Sequence, residues 1–162
     1  MEHHNIEPVF DKRSRILILG SFPSVKSREQ KFFYGHPQNR FWKMLAIILE
    51  SEEPADIEEK KKLLLDNQIA IWDVIADCEI SGSADSSISE VTVNDLSVIL
   101  DHSPVEKILC NGSTAYKLYE KHLYPLTGRQ ALKMPSTSPA NAVWSLQKLA
   151  QAWGEEIRKR GQ

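Results

Sequence analysis

Short apolar runs alternate with longer amphipathic stretches along this chain, and the alternation predicts strands and helices in turn. Arg15-Ile16-Leu17-Ile18-Leu19-Gly20 is continuous, apolar and closed by glycine, as expected of a parallel strand buried on both faces. Ile69-Ala70-Ile71-Trp72-Asp73-Val74-Ile75 predicts a second strand, interrupted by Asp73 near the end where it would approach a loop edge. Val105 to Gly112 predicts a third strand with its exit turn, and Ala131-Leu132-Lys133-Met134 a weak fourth. Between them, Phe41, Leu45, Ile48 and Leu49 recur at helical spacing in a helix beginning near Asn39, and a charged helix from Glu52 to Asp66 closes on Leu63, Leu64 and Leu65. Asn94-Asp95 can start a helix through Leu96, Ile99 and Leu100. Ser113 or Thr114 can cap another, lined by Tyr116, Leu118, Tyr119 and Leu123 and stopped by Pro125. A final helix, with Asn141 at its start, carries Leu146, Leu149, Ala150, Trp153 and Ile157 and ends in Arg158, Lys159 and Arg160. The sum, without internal repeats, is a single α/β domain over residues 1–162: a three-layer α/β/α sandwich around a small parallel four-stranded sheet.

The stretches between these elements carry the candidate chemistry. Ser21 to Gln38 exceeds an ordinary strand-to-helix connection, which favours a functional loop, whereas Cys78 to Ser89 reads as a Ser-rich surface loop. Two polar, Pro-bearing segments lie about a hundred residues apart: Gly35-His36-Pro37-Gln38-Asn39-Arg40-Phe41-Trp42 and Met134-Pro135-Ser136-Thr137-Ser138-Pro139-Ala140-Asn141. Loops leaving the carboxyl ends of parallel strands converge on one edge of the sheet, so both can share a cleft. Gly20-Ser21-Phe22-Pro23, Asp73 and Asn111-Gly112 sit at the other predicted strand exits.

Composition narrows the classes. A chain of 162 residues, 41% hydrophobic and 26% charged, has the balance of a soluble globular domain, and its apolar runs are far too short to cross a bilayer. The opening residues lack the basic and apolar regions of a secretory signal, so the expected location is cytoplasmic. A net charge of −2 does not advertise nucleic-acid binding, yet eight basic residues stand against four acidic ones before position 46. One basic face can meet phosphates; ordinary solvated charge explains the pattern equally well. Cys78 and Cys110 read as buried thiols, and the five histidines form no spaced ligand set, so neither a metal nor another cofactor is expected. Phosphate-loop, dinucleotide-binding and Gly-x-Ser-x-Gly motifs are all missing. Ser136 and Ser138 are therefore polar candidates rather than nucleophiles.

Each singled-out residue also has a plain structural explanation. Asn39 at a helix start is more often a cap than a chemical group, and His36 can be a satisfied loop histidine. Packing accounts readily for Phe41 and Trp42 on their helix, and less readily for Tyr34 in its loop. Asp73 can bond neighbouring backbone amides or act on a ligand, with nothing in the spacing to choose between them.

Four segments in order, Leu17 to Ser24, Tyr34 to Trp42, Trp72-Asp73-Val74 and Pro135 to Asn141, resemble the uracil-DNA glycosylase superfamily, most closely its hypoxanthine-DNA glycosylase (DNA-deoxyinosine glycosylase) branch. The resemblance runs across nearly the whole chain. The His-Pro-x-Asn-x-Phe-Trp segment is also similar to that of mismatch-specific uracil/thymine glycosylases, so it marks the superfamily better than the substrate. Uracil-excising relatives usually carry Asn or Asp where this chain has Phe22, and a hydrocarbon ring cannot orient water; Ser24 stands where glycine is common. The resemblance therefore implies that Asn39 takes the catalytic amide role, donating to the leaving base or positioning water, with His36 as a second donor. It implies a base pocket of Ser21, Phe22, Pro23, Tyr34 and Asp73, in which Tyr34 stacks on the flipped base. Pro135, Ser136, Thr137, Ser138 and Asn141 would probe DNA beside the amino end of the last helix, and Lys26, Arg28 and Lys31 would meet phosphates. The implied partner is DNA containing deaminated bases, bound by a nucleoid-associated monomer. The implied reaction is hydrolysis of the bond between hypoxanthine and deoxyribose, without cofactor and, for want of a catalytic lysine, without strand cleavage. Broader excision of uracil or xanthine, and a noncatalytic nucleic-acid-binding domain of the same fold, remain the alternatives.

Overall fold

A computed structural model of the chain describes residues 2–3, 6–22, 25–30, 32–79 and 89–158. It opens with a two-residue strand, β1 (Glu2–His3), followed by β2 (Ile16–Gly20), which is buried throughout. Helices α1 (Val25–Gln30), α2 (Phe41–Ile48) and α3 (Ile57–Asp66) come next, then strands β3 (Ile69–Asp73), β4 (Ile75–Glu79) and β5 (Ser89–Val93). After α4 (Ser97–Leu100) and β6 (Lys107–Asn111), helix α5 (Ser113–Leu118) passes through a π-helical turn, Tyr119–Leu123, into α6 (Tyr124–Thr127). Strand β7 (Leu132–Met134) and helix α7 (Leu146–Arg158) complete the chain.

The main sheet has the order β3-β2-β6-β7, all parallel. Leu19 lies opposite Trp72 on one side and Cys110 on the other, so the strand ends are level and their exits meet along one edge. Ile16 to Leu19 are apolar without alternation because layers cover both faces of the sheet. This is the expected three-layer α/β/α arrangement. Helix α2 buries Phe41, Trp42, Met44, Leu45, Ala46 and Ile48 and packs on α7, where the Phe41 ring meets Trp153 edge-on at 6.1 Å. No helix among the described residues is long and apolar enough to cross a membrane.

Several boundaries differ from expectation, each for a local reason. The Ser21–Gln38 connection contains α1, and the following helix starts at Phe41 rather than Asn39. The charged helix begins at Ile57, not Glu52, because Pro54 precedes it and Asp56 caps it, accepting from the Glu59 N–H at 2.8 Å. Strand two ends at Asp73: the Val74 N–H turns to the Gly20 carbonyl, and Ile75 starts a second, antiparallel sheet of order β1-β4-β5. Cys78 and Ser89 thus lie in strands instead of a loop, while residues 80–88 fall outside the described residues. Gly112, not Ser113 or Thr114, holds the cap position of α5. Pro125 does not stop that helix. It sits in the first turn of α6, after a π turn, where a missing N–H removes no intrahelical bond. The last helix begins at Leu146, five residues past Asn141, with Ser145 Oγ accepting from the Lys148 N–H. Lys159 and Arg160 lie outside the described residues.

Candidate active site

Strands β2 and β3 end side by side with Gly20 opposite Asp73. A Cβ on Gly20 would stand 2.5 Å from Asp73 Oδ1 and 3.1 Å from the Tyr34 hydroxyl, so two oxygens from distant segments converge on a bare Cα. Asp73 is only 3% exposed, and its main-chain carbonyl accepts from Asn94 Nδ2 at 2.8 Å, which fixes the strand exit. Tyr34 adopts φ 54°, a left-handed conformation uncommon for an aromatic residue. Its neighbours hold it there: the Gly35 N–H donates to Ser27 Oγ at 2.8 Å and Trp42 Nε1 donates to the Phe33 carbonyl at 3.0 Å. The Tyr34 ring stacks on Phe41 with centroids 4.4 Å apart, so a flat ligand would have to meet its other face.

Ser21 and Phe22 continue from β2. The Ser21 carbonyl accepts from the Ile75 N–H at 3.0 Å, tying this strand exit to the second sheet. Phe22 is buried, and the Arg28 guanidinium lies over its ring at 5.3 Å from the centroid. Arg28, expected to meet phosphates, thus carries its guanidinium beside the strand exit, over the Phe22 ring. Pro23 and Lys31 lie outside the described residues, and Lys26 belongs to α1.

Asn39 precedes α2. Its Oδ1 accepts from the Phe41 N–H at 3.0 Å and from Thr137 Oγ1 at 2.8 Å. A backbone N–H can only donate, so the atom facing Phe41 must be oxygen and the other end of the amide is the NH₂. Among the described residues, Asn39 Nδ2 has no hydrogen-bond partner. Its oxygen thus steadies the backbone entering α2, where Arg40 rather than Asn39 holds the cap position, and its nitrogen is an available donor. His36 follows the same logic. Its Nδ1 accepts from the Gln38 N–H at 3.1 Å, which puts the proton of the neutral ring on Nε2.

The loop after β7 is built from its own polar side chains. Ser136 Oγ accepts from the Ser138 N–H, Ser138 Oγ from the Ala140 N–H, and Asn141 Nδ2 donates to the Ser136 carbonyl, all within 3.1 Å. Trp153 Nε1 on α7 anchors the start of the loop through the Pro135 carbonyl at 2.9 Å. Arg40 clamps the whole segment: its guanidinium donates to the carbonyls of Ser138 at 2.8 Å, Asn141 at 3.1 Å, Thr137 and Trp144. A groove of about 560 Å³ runs along this loop between Asn111, Lys133, Ser136, Asn141 and Trp144; its lining does not include Asn39, Tyr34 or Asp73.

A sequence profile of the Uracil DNA glycosylase superfamily matches residues 7–156. The chain belongs to that superfamily. Among its superfamily relatives, the hypoxanthine DNA glycosylase of Methanosarcina barkeri is 32% identical over 161 residues, spanning 98% of this chain and 100% of the relative. The hypoxanthine DNA glycosylase of Methanosarcina acetivorans is 37% identical over 139 residues, spanning 85% of this chain and 87% of the relative. A Methanosarcina acetivorans protein solved by solution NMR as a candidate uracil DNA glycosylase superposes with a TM-score of 0.82 at 32% identity, covering 96% of each chain.

In this superfamily member the expected site residues fall into two groups. Tyr34 and Asp73 meet at Gly20, and Asn39 is joined to the loop after β7 through Thr137. Thr137 departs from its expected part as a DNA contact: it is 0% exposed, with its hydroxyl spent on Asn39 and Asn111. The expected amino end of the last helix is likewise not at Asn141 but at Leu146. Arg40, Asn111 and Trp153 are organising residues that the sequence did not single out. Only the strand-exit position of Asn111 and the place of Arg40 inside the Gly35–Trp42 segment hinted at them.

Proposed function

We propose that this chain is a DNA glycosylase that removes hypoxanthine from deoxyinosine and leaves an abasic site. The observation that carries the proposal is the Asn39 amide, whose oxygen is held by two donors so that its NH₂ is what a bound base would meet. In the reaction the C1′–N9 bond breaks, water oxygen bonds to C1′, and the water's second proton ends on the departing purine. Negative charge grows on the base as the bond lengthens, and a fixed donor such as Asn39 Nδ2 stabilises it. With its oxygen committed, the same amide is poorly placed to accept a proton from the attacking water, which favours the leaving-base role. Its substrate nucleotide must leave the helical stack to reach a strand-edge pocket. Tyr34 and Asp73 supply a ring and a buried carboxylate at the pocket floor, and Phe22, apolar where uracil-excising relatives carry Asn or Asp, supports purine excision over uracil excision. The names of both Methanosarcina relatives support the same substrate.

The test is direct. Duplexes with one hypoxanthine, uracil or xanthine are incubated with the protein and treated with hot alkali. The hypoxanthine strand is expected to be cut most. Asn39→Ala is expected to lose about 10²–10³ in single-turnover rate, the usual effect of removing one transition-state donor. No alkali-sensitive product from any substrate would end the enzyme reading, and uracil cut faster than hypoxanthine would replace the substrate.

A further inference from the structure

The direction of the Asn39 amide is set by a chain of donors that begins at the sheet. The Thr137 N–H donates to Asn111 Oδ1 at 3.0 Å, so the Asn111 atom facing Thr137 Oγ1, also at 3.0 Å, is Nδ2. Thr137 Oγ1 accepts there and has a single proton, which goes to Asn39 Oδ1 at 2.8 Å. The Phe41 N–H, 3.0 Å from the same oxygen, agrees. Without these donors the terminal torsion of an Asn side chain is broad, and a flipped amide would turn an acceptor toward a base gaining negative charge. Thr137 is itself immobilised: its carbonyl accepts from the Arg40 N–H at 3.1 Å and from the Arg40 guanidinium.

We propose that Thr137, oriented by Asn111, is a positioning residue for base excision that fixes which end of the Asn39 amide meets the base. Because Thr137 lies in the loop after β7, the catalytic amide and that loop form one unit. The inference rests on the donor role of Asn39 proposed above.

Thr137→Val, which keeps the shape and deletes the hydroxyl, and Thr137→Ser, which restores it, test this. Single-turnover excision, affinity for abasic-site duplex and the side-chain order parameter of ¹⁵N-labelled Asn39 are measured in each. Thr137→Val is expected to slow excision about 10- to 100-fold, less than loss of the donor itself, while abasic-site affinity stays within about threefold of wild type. The Asn39 side-chain amide order parameter should fall to below about 0.6, the flexible range. Thr137→Ser should recover both. In the Asn39→Ala background Thr137→Val should add no further slowing, as expected when one residue acts through the other. An unchanged order parameter and rate, equal losses in rate and affinity, or the same slowing with Asn39 already removed would each overturn the proposal. If thermal melting shows Thr137→Val unfolded, Asn111→Asp takes its place, since it keeps the acceptor for the Thr137 N–H and draws the hydroxyl proton away from Asn39. An unchanged Asn39 order parameter there would equally overturn it. If the wild type excised no base, the glycosylase reading would fail and the order parameter alone would decide the positioning claim.

Discussion

Gly20 and Asp73 leave the ends of neighbouring parallel strands in register, and the carboxylate of one occupies the space where a side chain of the other would begin. This packing therefore depends on the absence of a methyl group at residue 20. The Tyr34 hydroxyl uses the same gap, which ties the loop before α2 to the strand edge.

Gly20→Ala should displace Asp73, whose Oδ1 would be 2.5 Å from the new carbon. Overpacking of this kind costs about 1–3 kcal/mol. Thermal melting is expected to drop accordingly, and single-turnover excision to fall further than the unfolded fraction accounts for. Unchanged excision in a folded variant would remove Asp73 and Tyr34 from the reaction.

Arg40→Met keeps the stem and deletes the donors that hold four loop carbonyls. Hydrogen bonds from a charged group are each worth roughly 1.5–3 kcal/mol and do not add, so a loss of about 3 kcal/mol is expected. Amide exchange across residues 135–144 should accelerate and abasic-site affinity should weaken. Exchange at the wild-type rate would show that the loop holds its shape without the clamp.

Val143 is 82% exposed in the turn after the loop, between Ala142 and Trp144. Apolar tips that enter a base step offset part of the unstacking cost. Val143→Ser is expected to change stability by less than about 0.5 kcal/mol, as exposed substitutions do, yet to slow excision from duplex more than from single strands. Equal effects on both substrates would exclude insertion into the stack.

Cys110 lies fully buried on β6, and burial, with the nearby Glu120 charge, pushes its thiol up from 9.0 to about 12. Between those values the unfolded chain has released the thiol proton and the folded chain has kept it, so stability present below pH 9 falls as pH rises. One proton corresponds to a slope of about 1.4 kcal/mol per pH unit. Denaturant midpoints measured from pH 8 to 11 should decline less steeply for Cys110→Ala than for the wild type. Parallel curves would mean that the thiol does not contribute.

The central strand was legible because a segment buried on both faces must be apolar throughout, as Ile16 to Leu19 are. Polar stretches were less readable. Ile75–Glu79 and Ser89–Val93 pair antiparallel with register shifts, although the first runs on directly from the preceding strand and the second begins in a Ser-rich stretch. Asn141 resembled a helix start because Asn caps helices, but its amide closes a turn on Ser136 instead.

By itself the sequence determined the four strands of the main sheet and the larger helices between them, the exits where polar residues gather, and the kinship written in Tyr34 to Trp42 and Pro135 to Asn141; each follows from burial periodicity or residue identity. Tertiary structure alone decided what those residues do to one another. Arg40 reaches carbonyls 97 to 104 positions away, and Thr137, polar and loop-borne, is wholly enclosed between Asn39 and Asn111. A hydrogen bond depends on distance and direction in space, and neither the spacing of Asn39 nor its identity could reveal that its oxygen is occupied and its nitrogen presented.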